Sequence, residues 1–116
     1  MNTRDRGSDG ENSAADYLLS TGYTIITRNY QTRDGEIDCI ARAPDGTVAF
    51  IEVKYGRAGS RAGHPFFRIT RAKQRKLVLM ARRWLADHRM ATTPCRFDAI
   101  AVIGGRVEHL KNAFLV

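Results

Sequence analysis

Apolar and polar positions change period several times along this chain, and each change marks an element. Ala14, Ala15, Leu18 and Leu19 recur at helical spacing. Ahead of them Ser8 and Glu11 stand three residues apart, the spacing of a capping box. A first helix is therefore predicted from Ser8, stopping at Gly22, where a left-handed residue can close it. Residues 23–30 (YTIITRNY) read as a strand, QTRDG as a turn, and residues 36–42 and 48–55 as two more strands about the turn APDGT. A glycine-rich stretch, 56–69, reads as a mobile loop. Thr70 is then predicted to cap a helix over 71–88, whose stripe is Leu77, Val78, Ala81, Trp84 and Leu85. FDAIAVI (97–103) is a fourth strand, and Gly104-Gly105 a two-residue turn into a short fifth, RVEHL. The order α-β-β-β-α-β-β predicts an α/β fold, a mixed sheet flanked by helices.

The turn Ala43-Pro44-Asp45-Gly46-Thr47 sets a register. Proline suits its first position, and Gly46 can adopt the left-handed conformation that closes a three-residue loop. Ala43 then pairs with Thr47, which places Asp38 opposite Glu52 and Glu36 opposite Lys54. Because strand side chains alternate, all four share one face. The other face carries Ile37, Cys39, Ala41, Ala49, Ile51 and Val53, an apolar surface suited to a helix. Ile40, Val48 and Phe50 continue the charged face as an apolar one, so the cluster sits at the end of a buried strand pair.

Opposed carboxylates repel. Protonation, solvation or a cation between them relieves the conflict. Carboxylate oxygens are hard ligands suited to Mg²⁺ or Mn²⁺, and an ion held by Asp38 and Glu52 would polarise a phosphoryl oxygen and lower the pKa of water. Lys54, facing the same way, can orient the attacking water or stabilise transition-state charge on phosphate. The competing reading is an exposed sheet face with a Glu36–Lys54 pair.

Charge extends this picture. The 116 residues carry a formal net charge of +7. Between Val53 and Ala86 there is no acidic residue, but there are ten basic ones: Lys54, Arg57, Arg61, Arg68, Arg71, Lys73, Arg75, Lys76, Arg82 and Arg83. Such a field attracts polyanions. Metal, lysine and basic track together describe phosphodiester hydrolysis. The length suits one domain over 1–116. No run of eighteen apolar residues predicts a transmembrane helix, no secretion-signal core opens the chain, and a cytoplasmic location with no membrane partner is expected. Cys39 and Cys95 lack metal-ligand spacing and are expected as small core residues.

Asp38 followed by Glu52-Val53-Lys54 on the next strand resembles the D…(D/E)xK signature of restriction-endonuclease-like nucleases. GEIDCIA, FIEVK, GHP, ITRAKQRKL, CRFDAIAV and VEHLKNAF, in this order, resemble the YraN-type family of small bacterial proteins, and DGENSAADYLLSTGYTIITRNY resembles its first helix and strand. The family usually continues EVK with Thr-Arg; this chain has Tyr55-Gly56. The resemblance implies a restriction-endonuclease-like domain, similar in layout to archaeal Holliday-junction resolvases. It implies Asp38 and Glu52 as metal ligands, Lys54 as the catalytic lysine, and Glu11 at a catalytic position on the first helix. Gln74 falls where related nucleases carry a glutamine near the site. A DNA endonuclease using Mg²⁺ or Mn²⁺, acting on branched or structured DNA, is the implied activity, and a homodimer the implied assembly.

Nucleic-acid contacts are expected from Arg57, Arg61, Arg68, Arg71, Lys73, Gln74, Arg75 and Lys76, with Phe66 and Phe67 as stacking groups. A binding module of the same fold that cleaves little is the alternative function. A protein–protein adaptor would lack the steep salt dependence that both of these share. His64, His88 and His109 have no partner at ligand spacing and are expected to be structural, and Trp84 to be core.

Overall fold

Seven elements follow in the expected order: α1 (Thr3–Ser20), β1 (Thr24–Thr32), β2 (Gly35–Arg42), β3 (Val48–Gly56), α2 (Arg71–Asp87), β4 (Cys95–Ile103) and β5 (Arg106–Leu110). The computed structural model describes residues 3–56 and 69–114, with side chains from residue 12 onward. Arg57, Arg61, His64, Phe66, Phe67 and Arg68 lie outside the described residues, as does the loop expected between Gly56 and Ile69. The side chains of Ser8 and Glu11 lie outside them too.

The five strands run in the order β1-β2-β3-β4-β5. Pairing is antiparallel except between β3 and β4, which are parallel and joined through α2. The sheet is therefore mixed, and a helix covers each face. On one face Leu77, Met80, Ala81, Trp84 and Leu85 of α2 pack on Ile40, Val48, Phe50 and Phe97. On the other, Ala14 and Leu18 of α1 pack on Cys39, Ala41, Ala49, Ile51 and Ile100. Trp84 is core, its ring edge-on to Phe50 at 5.9 Å. No helix among the described residues is long and apolar enough to cross a membrane.

Local chemistry accounts for most boundaries. Thr70 caps α2 by accepting a hydrogen bond from the Lys73 amide at 3.1 Å. After α1, Gly22 has φ +90°, and the amides of Tyr23 and Gly22 reach back to the carbonyls of Leu18 and Leu19, a left-handed closure. In the β2–β3 turn the Ala43 amide donates to the Thr47 carbonyl at 2.8 Å, Gly46 takes φ +92°, and Asp45 Oδ1 accepts from the Thr47 amide at 3.0 Å. That local bonding holds the Asp45 carboxyl below its ordinary value.

Five expectations need correction. The first helix starts at Thr3, not Ser8. Ser8 and Glu11 therefore lie within it, because extending a formed helix adds one hydrogen bond per residue fixed. Leu19 is 57% exposed: at about 100° per residue it sits about 140° from Ala14, outside the buried arc that Ala14 and Leu18 define. Ile37 packs on the α2 side rather than with Cys39 and Ala41, because the β2–β3 ladder ends at Cys39 and no longer holds strict alternation. Glu36 is not opposite Lys54 in a ladder for the same reason. It pairs with Gln31 across β1, whose amide donates to its carboxylate at 3.4 Å. Cys39 is buried as expected, but Cys95, the first residue of β4, is exposed where the strand begins.

Candidate metal and nucleic-acid site

The β2–β3 register runs through Arg42↔Val48, Ala41↔Ala49, Ile40↔Phe50 and Cys39↔Ile51, the register the turn predicts. Its next step brings Asp38 level with Glu52. There the ladder stops, and a side chain replaces the backbone: Asp38 Oδ2 accepts from the Val53 amide at 2.8 Å. β3 meanwhile stays paired with β4 as far as Gly56↔Ile103. The result is a fork between β2 and β3, with Asp38 on one prong and Glu52 and Lys54 on the other. Glu52 and Lys54 lie on the α2 face, since Phe50, two residues before Glu52, packs there and Lys73 of α2 reaches Glu52.

Glu52 is the centre of the fork. It is 6% exposed, so its carboxylate is out of water. Oε1 lies 3.3 Å from Lys54 Nζ and 3.1 Å from Lys73 Nζ, the latter reaching over from the first turn of α2. Oε2 is buried and has no hydrogen-bond partner among the described residues. A buried carboxylate oxygen without a partner is costly. On β4, Ala99 pairs with Glu52 and Ala101 with Lys54, so the neighbouring positions there carry only methyl groups.

These residues fit a hard divalent cation. Among the described residues no group of three or more His, Cys, Asp or Glu side chains converges, which leaves the two carboxylates of Asp38 and Glu52 as the candidate donors. Mg²⁺ is commonly held by one or two carboxylates, with water and substrate phosphate completing its shell. The unpartnered Glu52 Oε2 is an oxygen such an ion would satisfy.

The remaining predicted residues separate. Gln74 is turned back on the chain, its amide donating to the Ile69 carbonyl at 3.1 Å, where it pins the entry into α2. Arg71 and Arg75 are exposed and line a cleft of about 650 Å³ with Gln74, Val78, Leu79, Arg82 and Phe114. Lys76 is exposed on the same helix. Lys73, expected among the phosphate contacts, lies against Glu52 in this structure.

A second polar cluster goes beyond the expectation that His109 is structural. Asp98, 1% exposed, accepts from Arg96 Nε at 3.0 and 3.1 Å and from the Asn112 amide at 3.2 Å, and lies 2.8 Å from His109 Nε2. His109 Nδ1 in turn lies 3.0 Å from Tyr17 Oη, and Arg96 donates to Tyr23 Oη. Burial alone would raise the Asp98 carboxyl. The hydrogen bonds from His109, Arg96 and Asn112, with the Arg96 charge, outweigh it and hold the group below its ordinary value. Burial and the negative charge of Asp98 help push the Tyr17 hydroxyl up. Ile51, the partner of Asp98 across β3–β4, packs against α1, so this cluster occupies the face opposite the fork. It ties α1, β4 and β5 together. Its signal is present in the sequence: a carboxylate inside FDAIAVI, followed across a two-residue turn by a histidine.

The profile described as "Uncharacterised protein family UPF0102" matches residues 10–102. A UPF0102 protein of Cupriavidus necator is 42% identical over 114 residues, covering 98% of this chain and 86% of its own length. One from Lachnoclostridium phytofermentans is 42% identical over 115 residues, covering 98% and 96%. A third, from Nitrosomonas europaea, is 44% identical over 112 residues, covering 94% and 92%. These matches bear out the resemblance to the YraN-type family.

Proposed function

The chain belongs to the UPF0102 family, and from that premise and the geometry of the fork we propose that it is a metal-dependent endonuclease hydrolysing phosphodiester bonds in DNA, branched or structured DNA included. The observation that carries this reading is the buried Glu52 Oε2, unpartnered among the described residues, with Lys54 on the same carboxylate and Asp38 one register step past the end of the β2–β3 ladder. A purely structural ion pair has no reason to leave one oxygen of a buried carboxylate unmet.

Asp38 and Glu52 would hold Mg²⁺ or Mn²⁺. When bound, the ion supplies Lewis acidity to the phosphoryl group and to water. Asp38 is fixed for this by the Val53 amide, which sets the orientation of its carboxylate. Lys54 Nζ, 3.3 Å from Glu52 Oε1, places a positive charge beside the reacting phosphate and stabilises the charge that develops there. The half-buried setting of Lys54, 20% exposed, strengthens that interaction relative to bulk water. Arg71, Arg75 and Arg82 extend the positive surface away from the fork along α2. At about 1.5 Å per residue they cover about 16 Å, a length over which several phosphates of one strand pass. Arg57, Arg61 and Arg68 would add contacts from the segment that follows β3, and two copies of the chain would address two strands.

A binding module with little cleavage is the second reading. One observation favours it: Lys54 and Lys73 already neutralise the carboxylate a metal would use. Incubation of the protein with labelled duplex, single-stranded and four-way DNA separates the two. Cleavage with Mn²⁺ that EDTA abolishes supports the endonuclease. Salt-dependent binding of all three DNAs without a cut product in any metal leaves the binding module.

A further inference from the structure

Lys73 stands apart from its neighbours on α2. Arg71, Arg75, Lys76, Arg82 and Arg83 are exposed, and Arg83 makes a long, exposed contact with Asp34 at 3.9 Å. Lys73 lies 3.1 Å from the Oε1 of a carboxylate that is 6% exposed, while its own side chain remains 41% exposed. Its ammonium thus connects solvent with the interior of the fork. The other ammonium on that oxygen, Lys54, is carried by the same strand as Glu52, two residues on, and is only 20% exposed, so it has less solvent to turn into. Lys73 reaches in from another element and can swing out by side-chain rotation alone.

We infer that Lys73 is the counter-ion Glu52 keeps until a divalent cation arrives, and that it is then released to a phosphate of the bound nucleic acid. This rests on the metal site proposed above and adds a regulation to it. With Lys73 on Glu52, part of the carboxylate's negative charge is cancelled, so a dication is held less tightly. Once Glu52 serves the dication, an ammonium beside it is repelled by two positive charges. The nearest negative charge is then the phosphate at the fork. Metal and nucleic acid therefore bind with positive coupling through one residue, and by linkage each raises the affinity for the other. Lys73 acts first as a positioning residue, setting the state of Glu52, and then as a phosphate contact.

The test is Mn²⁺ binding without DNA, followed by electron paramagnetic resonance at constant ionic strength. The proteins are wild type, Lys73→Ala, Lys111→Ala, Glu52→Gln and the double variant Lys73→Ala/Glu52→Gln. Lys111 is exposed and lines a cleft with Tyr17, Tyr23 and Arg96, so its removal controls for the change in net charge. Lys73→Ala should bind Mn²⁺ about tenfold more tightly than wild type, the scale of a half-exposed charge beside a dication. Lys111→Ala should stay within about twofold, because a distant surface charge is screened. Glu52→Gln should erase the gain. Wild-type binding that Glu52→Gln abolishes but Lys73→Ala leaves unchanged overturns the role of Lys73 and keeps the metal site. Absence of Mn²⁺ binding by both wild type and Lys73→Ala overturns the two together.

Discussion

Glu52→Gln should make the protein more stable. The substitution keeps the shape of the side chain and removes a charge from a position only 6% exposed. What is relieved is the desolvation of a buried charge, a cost of about 1–3 kcal/mol, although the amide nitrogen that takes the place of Oε2 still lacks a partner among the described residues. What disappears is the attraction to two ammonium groups. Lys73 is 41% exposed, and a pair of that kind contributes about 0–1 kcal/mol. Lys54 is less exposed, but the amide oxygen of glutamine can still accept from it. The balance is a gain of about 1 kcal/mol, or about 3–5 °C in Tm for a chain of this length. Urea unfolding at neutral pH, with wild type and variant compared at equal m-value, measures it. Destabilisation by more than about 1 kcal/mol would overturn this balance. Glu52 would then be the hub of a structural ion-pair network, and its unpartnered oxygen would no longer mark a ligand position.

Three further outcomes follow from particular side chains. Asp98→Asn should destabilise by about 3–5 kcal/mol near neutrality, because Arg96 and His109 lose a buried charged partner. The Asp98 carboxyl is depressed in the folded protein, so its contribution is present above the unfolded carboxylate range near about 4 and lost as pH falls through the lower folded value. The stability gap between wild type and Asp98→Asn should therefore narrow on acidification in urea titrations; a gap that widens contradicts the assignment. Gly46→Ala should cost about 1–2 kcal/mol in the same assay, from left-handed backbone alone, since an added Cβ there meets nothing within 4 Å. Arg75→Ala/Arg82→Ala should flatten the log–log salt dependence of DNA binding by about 0.9 for each phosphate no longer neutralised, with thermal stability nearly unchanged; an unaltered slope would move the DNA track to Arg57 and Arg61.

The fold is legible in the sequence where local chemistry decides it. Pro44, Asp45 and Gly46 specify one turn, that turn specifies one register, and the register brings Asp38 level with Glu52. Thr70 and the double glycine at 104–105 likewise mark ends that no long-range interaction needs to define. Legibility fails where geometry depends on which partner a strand keeps. Nothing local says that β2 leaves β3 after Cys39, so extrapolating the ladder puts Glu36 on Lys54 and Ile37 on the wrong face. Lys73 reads as one more surface cation, because its approach to Glu52 depends on how α2 crosses the sheet. Asp98 and His109 do not read as a pair because their hydrogen bonds run diagonally across β4–β5 and on to Tyr17, 92 residues away in sequence.

Everything proposed for the fork depends on Asp38 and Glu52 acting as one site on one phosphodiester. The decisive measurement is single-turnover cleavage of four-way DNA in Mn²⁺ by wild type, Asp38→Asn, Glu52→Gln and the double variant. Residues that act as a unit are strongly non-additive, so each single variant should lose nearly all activity and the double should be no slower than either. Cleavage that persists in the double variant, or single defects that multiply in it, would mean that the two carboxylates do not share a site.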